Sequence, residues 1–290
     1  MEPLVIYHAN CADGFTAAWV IWKKHPDWEF YPAKHGEAPP DVTDREVYMV
    51  DFSYKQDVLE KMLDVCKMMV ILDHHKTAMN DLHHLSITRK DKLWIHFDME
   101  KSGAKLAWEY FNPEPNSVPD IISYVEDRDL WRFNYSATRD ISSYIFSHPY
   151  DFETWNMIEE HIDNYHEDVI IQGQAIDRQH FKDVDELAGN AFRAYIGGYS
   201  VPVVNVPYTL ASDMCHKLCK NEPFAASYYY DGSRDKFIFS LRSTTDAGVD
   251  VGEIAKMYGG GGHVHAAGFE VNGHDLITGL STIRINKEIN

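Results

Sequence analysis

The sequence is short of basic residues. It has 27 Lys and Arg against 45 Asp and Glu among 290 residues, which gives a formal net charge of −18. Proteins that bind long duplex nucleic acid usually carry a basic balance, because neutralising phosphates drives their affinity. The charge therefore argues against a long duplex as a partner. A small anionic substrate stays compatible with it, since metal ions and a few arginines can reverse the field locally.

Long apolar runs and cysteine frameworks are also missing. No run of about 18 apolar residues occurs, so we expect no membrane span. The spacing of the four cysteines matches no zinc ribbon, and Met1-Glu2-Pro3-Leu4 lacks the basic region of a signal peptide. We therefore expect a cytosolic protein without disulfides.

What the first half does contain is an alternation of strand-like and helix-like segments. Amphipathic helices are predicted at 14–24 and 57–67 from the spacing of their apolar residues. Short apolar strands are predicted at 4–7, 28–31, 46–50, 68–72 and 93–97. Strands that alternate with helices are typical of an α/β fold with a mainly parallel sheet flanked by helices.

The second half changes character twice. From 102 to about 189 the pattern is helical, and 158–187 looks like one long polar helix that connects two lobes. The last hundred residues are β-rich, with a hairpin predicted from 224–230 and 236–241 and a helix near 251–257. We therefore predict a first domain over 1–150, a helical connector over 151–188 and a smaller α/β domain over 189–290.

Acidic and histidine residues stand where three of the predicted strands end. Buried carboxylates are costly unless they are paired or bind a metal. Side chains at the carboxyl ends of parallel strands meet at one edge of the sheet. Carboxylate and imidazole ligands suit Mn²⁺, Mg²⁺ or Fe²⁺, and two such ions about 3.5–4 Å apart would clamp a phosphoryl group. The strand-end residues are His8 with Asp13, Asp51, and the triplet Asp73-His74-His75.

These residues, together with a glycine-rich stretch near the end of the chain, carry a resemblance. His8 with Asp13-Gly14, then Asp51, Asp73-His74-His75 and Gly260-Gly261-Gly262-His263 resemble the motifs of the DHH phosphoesterase superfamily, in its DHHA1 subgroup. That group includes RecJ-like exonucleases, oligoribonucleases and cyclic-dinucleotide phosphodiesterases. The resemblance implies two divalent ions, with Mn²⁺ first and Mg²⁺ or Fe²⁺ as alternatives, held between two lobes to hydrolyse a phosphoester bond.

The resemblance also implies roles for single residues. His8 and Asp13 would belong to the first motif, and Asp51 would be the aspartate that bridges the two ions. In the triplet, His74 would be a ligand, while Asp73 would be either a ligand or the partner that orients His74. His75 would face the substrate phosphate.

The fourth motif of that family is a single aspartate after a helix. The segment 124–131 offers two candidates, Asp127 and Asp129. We slightly prefer Asp127 as the metal ligand, and Asp129 stays the alternative.

The first motif departs from the family pattern at Cys11, where the family commonly has an aspartate. Three roles stay open for this residue. Either Cys11 is itself a thiolate ligand, which would favour softer metals, or His8 and Asn10 complete the site without it, or the ion at this site binds weakly.

In the predicted second domain, Gly260, Gly261 and Gly262 precede His263. Glycines let backbone N–H groups approach an anion closely, so this stretch is expected to present several amides and an imidazole to a phosphate. The guanidinium of Arg242 suits bidentate phosphate binding. In the resemblance, this arginine faces the substrate.

Together these features predict a metal-dependent phosphodiesterase. Its expected substrates are short oligonucleotides or linear or cyclic dinucleotides, which would be cleaved to mononucleotides; a nucleotide such as 3′-phosphoadenosine 5′-phosphate is an alternative. A second interpretation is a sensor of the same fold that binds a nucleotide with little or no turnover. A pyrophosphatase is weaker still, because that subgroup carries a different C-terminal domain. Preference for RNA or DNA and the oligomeric state are left open.

Overall fold

The computed structural model describes residues 2–114 and 117–273, and the strand pairing of 284–285. Contacts divide the chain into two compact units, Met1–Arg178 and Gln179–Asn290. Each unit is built on its own β-sheet.

The sheet of the first unit has five strands, all parallel, in the order β2-β1-β3-β4-β5. The strands are β1 Leu4–His8, β2 Glu29–Ala33, β3 Glu46–Val50, β4 Met68–Asp73 and β5 Leu93–Phe97. The predicted parallel α/β sheet is thereby confirmed. The connection from β1 leads to β2 on one side of the pair β1–β3, and the connection from β3 leads to β4 on the other side. A crevice is therefore expected where β1 and β3 end.

Helices cover both faces of this sheet because its central strands are apolar on both sides. Val5 and Val70 face one core, and Ile6 and Ile71 face the other. The helices are α1 Ala12–Trp22, α2 Gln56–Val65, α3 Lys76–Thr88, α4 Gly103–Phe111, α5 Asp120–Asp129, α6 Thr138–Phe146, α7 Phe152–Asn164 and α8 His166–Ala188. α2 and α3 contribute to the Ile71 core, and the cluster on the other side includes residues of α1, α4, α5, α6 and α7.

Two helix predictions were wrong in their bounds. α1 begins at Ala12 and not at residue 14, which brings Asp13 into its first turn. The single helix predicted over 158–187 is two helices, α7 and α8, because the backbone leaves the helical conformation at Tyr165. α7 packs against the rest of the first unit through Trp155, which is fully buried.

The second unit carries a mixed sheet in the order β10-β11-β9-β8-β7-β6-β12. Its strands are β6 Phe192–Ile196, β7 Tyr199–Asn205, β8 Ala225–Asp231, β9 Lys236–Arg242, β10 Gly261–Gly262, β11 Ala266–Asn272 and β12 Arg284–Ile285. After the end of α8, the described part of this unit contains the helices α9 Ala211–Leu218 and α10 Val251–Lys256. The antiparallel β8–β9 hairpin was predicted and is confirmed. Across the described residues, no helix is both long and apolar enough to cross a bilayer.

Candidate metal centre

The centre of the candidate site is Asp51, directly after β3. Tyr7 pairs with Val50 and Val50 pairs with Leu72, so Asp51 lies beside the carboxyl ends of both β1 and β4. Its φ is +53°, a conformation that a side-chain-bearing residue adopts at a cost, and its N–H donates to the carbonyl of Leu72 at 2.9 Å. Strained backbone of this kind clusters at functional sites, which agrees with the place of Asp51 at the edge of the sheet.

The two carboxylate oxygens of Asp51 face different histidines. Oδ1 lies 3.0 Å from Nε2 of His74, and Oδ2 lies 3.5 Å from Nδ1 of His8. The side chain of Asp51 is only 1% exposed. Burial alone would raise the pKa of Asp51, but the imidazoles of His74 and His8 hold it well below its usual range. Asp51 is therefore a buried carboxylate placed between two ring nitrogens.

Two atoms at this position lack a hydrogen-bond partner among the described residues. They are Oδ2 of Asp51 and Nδ1 of His8, both buried. A buried polar group left unsatisfied is costly, so a pair of them facing each other calls for a third group. A cation that both atoms ligate would satisfy them, and the residues present therefore fit the metal that the resemblance implies.

Among the described residues of the first unit, the potential ligands form two groups of three. One ligand atom from each of His8, Asp51 and His75 lies within 4.8 Å of the others, and the same holds for Asp13, His74 and Asp129. The contact between Asp51 and His74 joins the two groups. The structure thus brings six of the predicted residues together at the carboxyl edge of the sheet, as two adjoining groups of potential metal ligands.

Asp13 is held in place by the start of α4. Its Oδ2 accepts the N–H of Gly103 at 2.5 Å, and its Oδ1 accepts the N–H of Ala104 at 3.0 Å. Burial and the neighbouring carboxylates of Asp51 and Asp129 raise the pKa of Asp13 well above its usual value. A cation at this point would relieve the repulsion among these carboxylates.

Two glycines allow this close approach. A Cβ at Gly103 would overlap the side chain of Asp51, and a Cβ at Gly14 would lie 2.6 Å from the carbonyl oxygen of His8. Gly14 belongs to the motif read from the sequence, whereas no sequence motif indicated the role of Gly103. The available signal was its place beside Ser102, whose side chain accepts the N–H of Lys105 and caps α4.

Asp73 is surrounded by donors. Its Oδ1 accepts the backbone N–H groups of His74 and His75 at 2.7 and 3.2 Å, and Nδ1 of His75 at 2.6 Å. Its Oδ2 accepts the hydroxyl of Ser53 at 2.6 Å. Burial alone would raise the pKa of Asp73, but His75 lowers it to about 2. Asp73 therefore orients the ring of His75. The sequence had suggested that Asp73 is either a metal ligand or the residue that orients His74.

At the fourth motif, the structure separates the two candidate aspartates. Asp127 is 3% exposed and accepts the N–H groups of Asn134 and Tyr135 and the hydroxyl of Thr138, so both its oxygens serve the loop after α5. Oδ2 of Asp129 instead lies 3.6 Å from Nε2 of His74. The geometry therefore favours Asp129 over Asp127, although the sequence slightly preferred Asp127, and the identity of the ligand stays a prediction.

Cys11 lies at the N-cap of α1, beside the centre. Its sulfur belongs to neither of the two ligand groups found among the described residues of the first unit. Burial and the carboxylates of Asp51, Asp129 and Asp13 raise the pKa of the Cys11 thiol well above its usual value. In the absence of a cation, this side chain is therefore a neutral thiol.

In the second unit, Arg242 ends β9. Its Nη2 donates to the hydroxyl of Ser212 at 2.8 Å, and its Nη1 donates to the carbonyl of Leu241 at 2.9 Å. These contacts fix the direction of the guanidinium at the end of the strand. Its role toward phosphate stays a prediction.

The glycine-rich stretch is part of the sheet of the second unit. Gly261 and Gly262 form β10, which pairs with β11, and a Cβ at Gly262 would lie 2.5 Å from the carbonyl oxygen of Ala266. The N–H groups of Gly259, Gly260 and His263 donate to carbonyls of Lys256, Ala255 and Ala266. These three amides are thus engaged inside the protein in this conformation. The glycines are needed for close strand packing, which the sequence interpretation did not consider.

Comparison with known proteins gives a family match and several relatives. The DHHA1 domain family matches residues 204–284. Uncharacterized protein R106 of Acanthamoeba polyphaga mimivirus is 30% identical over 300 residues, which cover 93% of this chain and 68% of that protein.

Among solved structures, the pGpG-specific phosphodiesterase PggH from Vibrio cholerae matches with a TM-score of 0.50 at 13% identity. The match covers 97% of this chain and 96% of that one. RecJ from Thermus thermophilus, solved in complex with Mn²⁺, matches with a TM-score of 0.49 at 12% identity, over 96% of this chain and 50% of that one. The likeness to PggH shows a shared fold over nearly the whole of both chains.

Proposed function

Since this chain belongs to the DHH phosphoesterase superfamily, in its DHHA1 subgroup, we propose that it is a divalent-metal-dependent phosphodiesterase. Its substrates are short oligonucleotides or linear or cyclic dinucleotides, which it hydrolyses to mononucleotides. The observation that carries the proposal is the position of Asp51, whose two oxygens face the two groups of potential ligands.

Two cations fit this arrangement. Asp13, His74 and Asp129 would hold one, with Asp51 reaching it through Oδ1. His8 and Asp51, through Oδ2, would hold the other. When bound, such a pair of ions neutralises charge on a phosphoryl group and lowers the pKa of water. Mn²⁺ is the first candidate, and Mg²⁺ and Fe²⁺ are the alternatives.

The protein's own residues would hold the carboxylates of the centre in place and would bind the substrate phosphate. The N–H groups at the start of α4 hold Asp13, and the hydroxyl of Ser53 holds Asp73, so neither carboxylate needs to reorganise during the reaction. In the second unit, Arg242 and His263 would bind the substrate phosphate, the former as a bidentate fork.

The charge of −18 supports a short substrate, because a long strand would meet repulsion over most of its length. A dinucleotide brings few phosphates, and the ions and Arg242 can offset them locally. The shared fold with a pGpG-specific phosphodiesterase makes pGpG a sensible member of a substrate panel.

One observation favours a second candidate function, a nucleotide sensor. Cys11 stands where the resemblance expects an acidic ligand, and its sulfur lies outside both ligand groups. If the cation beside His8 bound too weakly for turnover, the protein would still bind nucleotide.

A single assay separates the two functions. The chelator-stripped protein is incubated with Mn²⁺, Mg²⁺ or Fe²⁺ and end-labelled substrates from dinucleotides to ten-mers, and the products are resolved by length. We expect mononucleotide release that is fastest on the shortest substrates, and a loss of at least about 100-fold in Asp51→Asn, which removes one ligand charge. Binding of the labelled dinucleotide without mononucleotide release under any metal would establish the sensor instead.

A further inference from the structure

We propose that His75 is the third protein ligand of the cation that His8 and Asp51 hold, which we call the first cation. The family motif instead has a carboxylate for this site, at the position of Cys11. The first site would then consist of two imidazoles and one carboxylate, and it would select Fe²⁺, Co²⁺ or Zn²⁺ over Mg²⁺. This inference rests on the proposed function, because it concerns the same centre, but it differs from the role that the resemblance implies for His75.

The three candidate ligands of this site lie close together. One ring nitrogen of His8, one ring nitrogen of His75 and one oxygen of Asp51 lie within 4.8 Å of one another. The two rings have centroids 6.0 Å apart and are inclined at 75°, so they approach edge to face and do not stack on each other. Three ligands at such mutual distances can converge on one ion.

Two buried atoms of this site lack a hydrogen-bond partner among the described residues. They are Oδ2 of Asp51 and Nδ1 of His8, which face each other at 3.5 Å. Both atoms carry lone pairs when the carboxylate is ionised and Nδ1 is unprotonated. A cation shared by the two, with His75 as the third ligand, would satisfy both at once.

The carboxylate of Asp73 holds the ring of His75. Its Nδ1 donates to Oδ1 of Asp73 at 2.6 Å, and Asp73 is fixed by the hydroxyl of Ser53 and the N–H of His74. An imidazole that gives Nδ1–H to a carboxylate presents the lone pair of Nε2 on its other side. Metal-binding histidines almost always have such a carboxylate or carbonyl behind them.

The composition of the two ligand groups then predicts different metal preferences. The group of His8, His75 and Asp51 is rich in nitrogen, and the group of Asp13, His74 and Asp129 is rich in oxygen. Imidazole suits Fe²⁺ and Zn²⁺, whereas carboxylate and water suit Mg²⁺ and Mn²⁺. Mg²⁺ would therefore fill the second site well and the first site poorly.

Cobalt binding tests the assignment without any measurement of hydrolysis. The chelator-stripped protein is titrated with Co²⁺, and bound metal is counted while the absorption spectrum is recorded. The wild type should bind two ions without a thiolate-to-cobalt charge-transfer band in the near ultraviolet, and Cys11→Ala should behave in the same way. His75→Gln should bind one ion. The control His83→Gln changes an exposed histidine on α3 and should bind two.

Two further measurements guard against a His75→Gln protein that does not fold. Asp73→Asn keeps the ligand but removes the anion behind it, and it should weaken the first ion by about 10–100-fold while the second stays bound. Calorimetric titration of the wild type with Mg²⁺ should show one strong site, where Co²⁺ shows two.

A charge-transfer band that disappears in Cys11→Ala would overturn the proposal in favour of the thiolate. Two tightly bound ions in His75→Gln would overturn it as well, and would leave the phosphodiesterase proposal standing. A wild type that binds no Co²⁺ would defeat both proposals.

Discussion

The carboxylate of Asp13 accepts the backbone N–H of Gly103, which joins the first motif to the start of α4, some ninety residues later in the chain. The contact requires the backbone of α4 to lie against Asp51, and only a residue without a side chain permits this.

We therefore expect Gly103→Ala to damage both the fold and the metal centre. The added methyl would overlap Asp51 and push α4 away from Asp13, at a cost of about 1–3 kcal/mol in the free energy of unfolding. Urea unfolding measures this cost, and Mn²⁺ titration should show a weakened second site. Gly189→Ala is the matched control, because its Cβ would meet only an ordinary contact at 3.5 Å. Equal stability in the two variants would refute the steric argument.

Asp127 and Asp129 should separate into a structural and a metal-binding role. Asp127→Asn places an amide against backbone donors and should lower the free energy of unfolding by about 1–3 kcal/mol, with metal affinity retained. Asp129→Asn should lose metal affinity but keep or gain stability in chelator, because it removes one of three crowded carboxylates. Urea unfolding in chelator and Mn²⁺ titration measure the two effects. The reversed pattern, with metal loss in Asp127→Asn alone, would restore the sequence preference.

The helical periodicity of the sequence distinguishes the positions of these two aspartates. Ile122 and Val125 are buried on α5, and Asp129 follows them at positions i+7 and i+4, on the same helical face. Asp127 is buried for a different reason, since the loop after the helix folds back over it and uses its oxygens. That loop closure depends on tertiary structure, which helical periodicity alone does not indicate.

The strand ends could be predicted because they follow from local patterns. The apolar run 68–72 and the aspartate after it have no reasonable placement except a buried strand that ends at the sheet edge. The break at Tyr165 between α7 and α8 could not be predicted from the sequence, because neither glycine nor proline marks it and the polar pattern continues across it. The use of the glycine stretch as a strand was also hidden, since β10 has only two residues and depends on its partner β11.

Metal binding should stabilise the first unit measurably. The carboxylates of Asp13 and Asp51 are buried close together, and a cation offsets their mutual repulsion. At a free Mn²⁺ concentration of 100 times the dissociation constant, the expected gain is about 2.7 kcal/mol, seen as a higher melting temperature. Asp51→Asn should lose most of this gain, whereas His84→Gln, an exposed change on α3, should keep it. A melting temperature that Mn²⁺ leaves unchanged in the wild type would argue against a metal centre at this edge.

Substitution of Arg242 should weaken substrate binding, whereas substitution in the glycine stretch should lower the stability of the second unit. Arg242→Lys removes the planar fork while keeping the charge, so KM for a dinucleotide should rise by about 10-fold or more with a smaller change in kcat. Arg234→Lys is the control, because Arg234 lies in the turn between β8 and β9 of the same unit and is paired with Glu270 at 2.8 Å.

Gly260→Ala should act through the fold instead. Its Cβ would overlap the backbone of Gly268, and its N–H already donates to the carbonyl of Ala255. The expected result is a less stable second unit, by about 1–3 kcal/mol in urea unfolding, with KM unchanged for the fraction that remains folded. A rise in KM with full stability would instead mean that this stretch contacts the substrate, as the sequence interpretation expected.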